Sequence, residues 1–319
     1  NGRMHQRETL LQELGRIIGS GPTEKVNPHV KVEREEDCGD HVRRLLSYWV
    51  EPDDRAYGYL LVPKSRSDIP QPLVVCPHQT KPWGKDGPVG SADEAQYHYA
   101  LDLVRQGFVA FAPDQFTAGQ RLHSNVKPYD TYRLYEKWPE WSAGGKAAWD
   151  LGRALDFLVT FDEIDPTRIG AIGHSLGGHD ALVLAALDER VKVAVINCGA
   201  ALLRTEPRRR EWARLGDHEY VYYRKLRPFV DAADLPFDFD RLAMLAAPRG
   251  LMMIHAINDQ YFPGNIGWLE GTRAVSDYFR DAGRPEGFVT YFHRKGHCFP
   301  AEARAMAYRW LGDQLGLGG

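Results

Sequence analysis

Cysteine is scarce in this chain. Four residues in 319 are cysteine, scattered at Cys38, Cys76, Cys198 and Cys298. With no C-x-x-C pair and no zinc-type spacing, a disulfide scaffold and a zinc-ribbon framework are excluded. The four read as reduced, mostly packed thiols, as expected of a cytoplasmic protein. An excess of one charge is missing too. Forty Lys and Arg against 43 Asp and Glu leave a net charge of −3, so no long-range field draws the chain to nucleic acid. No apolar run approaches the ~20 residues of a membrane span. The start, NGRMHQRETLLQELGRIIGS, has no apolar core followed by a small-residue cleavage site, so no secretion signal is read there. Repeats and low-complexity tracts are absent.

What is present has the composition of an ordinary globule, 43% hydrophobic and 26% charged. Residues 1–30 read as an N-terminal helix and lead-in, and 31–319 as a single α/β domain. Strand-like residues fill 31–63. Short apolar runs follow: LVVC (73–76), FVAFAPD (108–114), RIGAIG (168–173), VKVAVIN (191–197) and GLMMIHA (250–256). Helical patterns at 91–107, opened by the capping box SADE, and at 143–160, 176–187 and 301–315 alternate with them. Such alternation predicts a mostly parallel, doubly wound sheet with helices on both faces. The charged, aromatic stretch at about 201–247 breaks the rhythm and is expected to form helices inserted above the sheet. Its run Arg208–Arg210 reads as a solvated face.

One corner carries chemistry. Gly173-His174-Ser175-Leu176-Gly177 matches G-x-S-x-G between an expected strand and an expected helix. A serine on so tight a turn is held out above the sheet edge, and glycines are needed where backbones crowd. A hydroxyl is a weak nucleophile alone; it needs a base, and the base an orienting carboxylate. In chain order the acid then the histidine should follow. Asp259, just past GLMMIHA, and His297, in a loop before the last helix, meet that order. His293 and Asp231, Asp238 and Asp240 are weaker rivals by position, and His174 is expected to pack or hydrogen-bond locally. The oxyanion formed on attack needs preset donors. The backbone N–H of Leu176 is one, and that of Gln79, in the loop after LVVC, is the second, with Thr80 as runner-up.

The segments PHQ, GHSLGG, NDQYFP and GHCF, in this order, resemble an α/β-hydrolase. The stretch YLLVP…LVVCPHQ…GFVAFAPD…DPTRIGAIGHSLGG is similar to the dienelactone-hydrolase-like and acetyl-xylan-esterase-like branch. It departs from dienelactone hydrolases proper, whose nucleophile is cysteine. It departs too from the cephalosporin-C deacetylase group, which has R-G-Q at the oxyanion loop. The resemblance implies a serine carboxylic-ester hydrolase working through an acyl-enzyme, without metal or cofactor, on a small or medium ester such as an acetylated carbohydrate. A serine peptidase of the prolyl-oligopeptidase kind and a non-catalytic ligand-binding homologue are the alternatives. Partners other than the ester are not implied; homo-oligomerisation stays open.

Pocket candidates are His78 and Trp83 in the oxyanion loop, with Phe116, Tyr135 and Trp138 in the long segment after Asp114. These aromatics suit either a sugar or aryl group, or the packed underside of a covering loop. Arg121 is expected to pair with a local acid such as Asp114. His174, His179 and Asp180 lack metalloprotease spacing, so no metal site is expected there.

Overall fold

A computed structural model describes residues 2–65, 69–216, 218–232 and 235–317. Residues 1, 66–68, 217, 233, 234, 318 and 319 lie outside the described residues. They belong to the expected lead-in, the polar stretch after 63, the insertion and the C-terminal end.

The described residues form one nine-stranded sheet. Its strands are β1 (Lys31–Asp37), β2 (His41–Glu51), β3 (Asp54–Pro63), β4 (Gln71–Val75), β5 (Val109–Pro113), β6 (Ile164–His174), β7 (Val191–Asn197), β8 (Gly250–Ala256) and β9 (Phe288–His293). Their order is β1-β2-β3-β5-β4-β6-β7-β8-β9. Strands β4 to β9 run parallel, while β1, β2 and β3 form an antiparallel ribbon that joins β5. The eight α-helices among the described residues are α1 (Gly2–Ile18), α2 (Tyr99–Arg105), α3 (Tyr132–Lys137), α4 (Ala143–Leu158), α5 (Leu176–Leu187), α6 (Phe239–Met244), α7 (Trp268–Asp281) and α8 (Ala301–Leu315).

The period of two along buried strands sends alternate side chains to two cores. Leu251 and Met253 of β8 join the core that includes α4, α5 and α7. Met252 and Ile254 join the core under α2 and α8. Each such side chain fully removed from water contributes about 1.5–3 kcal/mol, which is why the strands at the sheet centre read as unbroken apolar runs.

The chain returns past β4 to reach β6, so the β4 and β6 loops emerge side by side above the carboxyl edge of the sheet, at a switch point. Two expectations need correcting here. The helix after Ser91 starts only at Tyr99. Ser91 accepts a hydrogen bond from Arg43 instead of capping, and Asp93 adopts a left-handed φ of 69° that interrupts any helix. The 201–247 stretch is built mostly of turns and short 3-10 segments, with α6 as its one α-helix among the described residues.

Candidate active site

Strand β6 ends at His174, and Ser175 turns the chain into α5 with φ 55° and ψ −123°. A non-glycine residue there costs about 1–3 kcal/mol and persists only where its surroundings enforce it. The enforcement is steric. A Cβ on Gly173 would sit 2.2 Å from the Gly177 carbonyl oxygen, and one on Gly177 would sit 2.1 Å from that of Pro77. The Ser175 N–H donates to the Asn197 carbonyl at 2.9 Å, which ties the corner to the end of β7.

Asp259 follows β8 and His297 follows β9. His297 Nδ1 lies 2.7 Å from Asp259 Oδ2. The other carboxylate oxygen accepts the N–H groups of Tyr261 (2.8 Å) and Phe262 (3.0 Å). Burial alone would raise the Asp259 pKa. The hydrogen bond and charge of His297, with the two amides, outweigh burial and hold the carboxyl below its ordinary range. The two loops are also clasped directly: Gly296 N–H donates to Asn258 Oδ1 and His297 N–H to Gln260 Oε1, both at 3.0 Å.

Ser175, His297 and Gln79 line one cavity of about 760 Å³. Among the described residues the Ser175 hydroxyl makes no hydrogen bond to His297. The backbone N–H groups of Leu176 and Gln79 also carry no hydrogen bond to the protein among the described residues, so both remain available as donors. The Gln79 loop is fixed from below by His78. Its Nε2 accepts from Gln115 N–H (3.0 Å), so Nδ1 carries the proton and donates to the Gln79 carbonyl (2.7 Å). Burial lowers the His78 pKa and keeps the ring neutral. Tyr129 fixes the loop from above, accepting from Lys81 N–H at 2.7 Å.

The five pocket candidates are a correction, since none of them lines this cavity. His78 is the buried support just described. Trp83 carries Lys81 over its ring, 5.4 Å from the centroid. Tyr135 is buried and donates to the Val221 carbonyl at 2.7 Å. Trp138 donates to Glu51 at 2.9 Å, and with Phe116 lines a separate 240 Å³ cavity. Tyr135 and Trp138 use their polar ring atoms to anchor the segment. Arg121 is paired as expected, but with Asp54 (2.6 Å) and Asp150 (2.7 Å). The Asp114 carboxylate takes Lys85.

The residues that do line the cavity include Tyr97, Glu206, Arg208, Trp212, Tyr222 and Tyr261. Four come from the stretch read as an insertion, where the density of aromatic and charged residues was the available signal. Asn197 is a further residue not foreseen. Its Nδ2 donates to His174 Nδ1 (2.6 Å) and to the Cys298 carbonyl (3.0 Å), joining the Ser175 corner to the His297 loop. His174 stacks on Tyr97, and burial, then the neighbouring His297, push its pKa well down. His179 Nδ1 donates to the Gly199 carbonyl at 3.0 Å and its Nε2 accepts from Tyr223 at 2.6 Å.

Comparison with known proteins agrees with this architecture. A family described as glucuronyl esterase, fungi, matches residues 104–276, more than half of the chain. The Bacillus subtilis (strain 168) protein YtaP, a hydrolase by name, is 25% identical across 97% of this chain and 98% of its own length. Carbohydrate esterase MZ0003, from an unknown prokaryotic organism, is 32% identical over 127 residues, 37% of this chain and 29% of that protein. In three dimensions, a glucuronoyl esterase from Solibacter usitatus superposes with a TM-score of 0.74, covering 97% of this chain and 92% of that one at 16% identity. The chain therefore belongs to the glucuronyl esterase family of the α/β-hydrolase superfamily and is a carboxylesterase-type hydrolase.

Proposed function

We propose that this protein hydrolyses a carboxylic ester of a carbohydrate, with Ser175 as nucleophile, His297 as base and Asp259 as the orienting acid. The reading rests on one observation above others: Ser175 on its strained corner shares a cavity with a His297 whose Nδ1 is held 2.7 Å from Asp259. That hydrogen bond leaves Nε2 as the basic atom. His297 Nε2 takes the Ser175 proton as the oxygen attacks the ester carbonyl. The oxyanion is met by the amides of Leu176 and Gln79, at the N-terminus of α5. The ester C–O bond breaks, the alcohol leaves with the proton from His297, and water repeats the sequence on the acyl-enzyme.

A carbohydrate is favoured by the cavity wall. Glu94, Gln96, Lys127, Glu206 and Arg208 offer polar atoms around it, and Tyr97, Trp212 and Tyr222 offer ring surface. Hydroxyl-rich rings with apolar faces suit that mixture. MZ0003 and the Solibacter protein carry esterase names of this kind.

The test compares nitrophenyl acetate, acetylated sugars, uronate esters and an aminoacyl-anilide as substrates, with Ser175→Ala as control. Ester turnover that collapses in the variant is expected, together with fluorophosphonate labelling of the wild type alone. Full ester turnover by Ser175→Ala, or preference for the anilide, would overturn the reading.

A further inference from the structure

The back of the same site holds a third kind of donor. Cys198 follows β7, fully buried, and donor atoms of Cys198, Asp259 and His297 all lie within 4.8 Å of one another. The Cys198 sulfur is also 3.9 Å from the carbonyl oxygen of Cys298, in the histidine loop. A sulfur, a carboxylate oxygen and an imidazole nitrogen converging on one point is the ligand chemistry of a soft or borderline divalent cation. Tetrahedral zinc holds its donors at about 2.0–2.3 Å, so they stand roughly 3.3–3.6 Å apart. The present donors lie within 4.8 Å of one another, so binding has to draw Cys198 in and open the 2.7 Å contact between His297 Nδ1 and Asp259 Oδ2. A thiolate and a carboxylate neutralise the charge of the ion, and of the three donors His297 also lines the cavity that holds Ser175. The buried acidic trio Glu51, Asp54 and Asp150 is different. There the Lys146 ammonium sits within 2.6–2.8 Å of all three carboxylates, so the place of a cation is taken.

We propose that Cys198, Asp259 and His297 form an inhibitory site for zinc and similar divalent cations. Binding releases the thiol proton to solvent. The imidazole proton moves from Nδ1 to Nε2 as Nδ1 turns to the metal. Nε2 then carries a proton and cannot accept one from Ser175, so hydrolysis stops without any change of fold. The inhibition rests on His297 acting as the base; the metal site itself does not.

Cobalt(II) is the spectroscopic probe and zinc chloride the inhibitor, each applied to the full chain, with every inhibited rate taken relative to the same protein's zinc-free rate. The wild type should show a thiolate-to-cobalt charge-transfer band, release one proton per zinc, and lose ester hydrolysis reversibly on chelation. Cys198→Ala should lose the band and bind at least about 100-fold more weakly, since a ligand is gone and even outer partners of a metal site are worth 10–100-fold. Cys38→Ala and Cys298→Ala should keep both. Absence of the band in the wild type, or undiminished zinc inhibition in Cys198→Ala, would overturn the site. A wild-type band with hydrolysis unaffected would leave the site standing and overturn the assignment of His297 as base. Where Cys198→Ala fails to fold, the wild-type band and proton count decide alone.

Discussion

Nδ1 of His297 and Oδ2 of Asp259 stand 2.7 Å apart, although 38 residues separate them in sequence. The contact exists because β8 and β9 are parallel neighbours, so the loops that leave them rise side by side. The clasps from Asn258 and Gln260 then fix the two loops together before any substrate arrives.

Replacing Asp259 by Asn should therefore leave the loops in place and spoil the tautomer. An amide nitrogen facing Nδ1 favours the proton on Nε2, the atom that has to accept from Ser175. The rate constant kcat should fall about 10³–10⁴-fold with little change in KM. Steady-state kinetics on an aryl ester measure this directly. A loss in KM alone would show that Asp259 serves binding instead.

That Ser175, Asp259 and His297 would meet at one edge of the sheet was legible because it depends on local signals: glycines at a corner, an acid past a strand, a histidine before the last helix. The cavity wall was not. Whether Tyr135 faces Ser175 or the Val221 carbonyl, 86 residues away, is decided by tertiary packing, and its own segment reads the same in either case. The capping box failed for a related reason. Ser91 found Arg43, 48 residues earlier, as a better partner than the amide of Glu94.

His255 offers a pH prediction. It is buried on β8, stacked on Trp268 at 4.7 Å, and neither ring nitrogen has a hydrogen-bond partner among the described residues. Burial lowers its pKa from 6.5 to about 3. Between those values the unfolded chain binds a proton that the native state refuses, so this residue makes stability fall as pH drops from about 6.5 toward 3. A phenylalanine there cannot titrate and gives up no hydrogen bond. His255→Phe should be neutral or stabilising at pH 8, and its advantage should grow by about 2 kcal/mol at pH 5. Denaturant melts at the two pH values check this; an unchanged difference would rule out the buried neutral imidazole.

Lys146 joins Glu51, Asp54 and Asp150 inside the protein, with side-chain exposures of 4%, 2%, 27% and 8% in that order. Burial works first against charge at Lys146, but the carboxylates, led by Asp150, outweigh it and raise the pKa. Lys146→Met keeps the volume but removes the cation shared by all three acids, leaving Asp54 and Asp150 to Arg121 and Glu51 to Lys137 and Trp138. The expected cost is about 3–5 kcal/mol. Lys225→Met, which breaks an exposed pair with Glu140, should leave the melting temperature unchanged. Similar effects in both variants would contradict the burial argument.

Two glycines separate the chemical corner from ordinary helix propensity. Gly15 lies on the exposed side of α1, with nothing within 4 Å of an added Cβ. Gly15→Ala should stabilise by about 0.5–1 kcal/mol, since alanine loses less backbone entropy in a helix. At Gly177 the same methyl would meet the Pro77 carbonyl oxygen at 2.1 Å and that of His78 at 2.7 Å. Both are backbone atoms, so no rotamer change relieves the clash; the β4 loop or the start of α5 has to move. Either movement separates the amide of Gln79 from that of Leu176. Removing one such donor typically costs 10²–10³ in kcat. Gly177→Ala should thus lose at least about 100-fold in kcat even where circular dichroism shows a folded protein. A variant with wild-type kcat would mean that these two amides do not act together on the oxyanion.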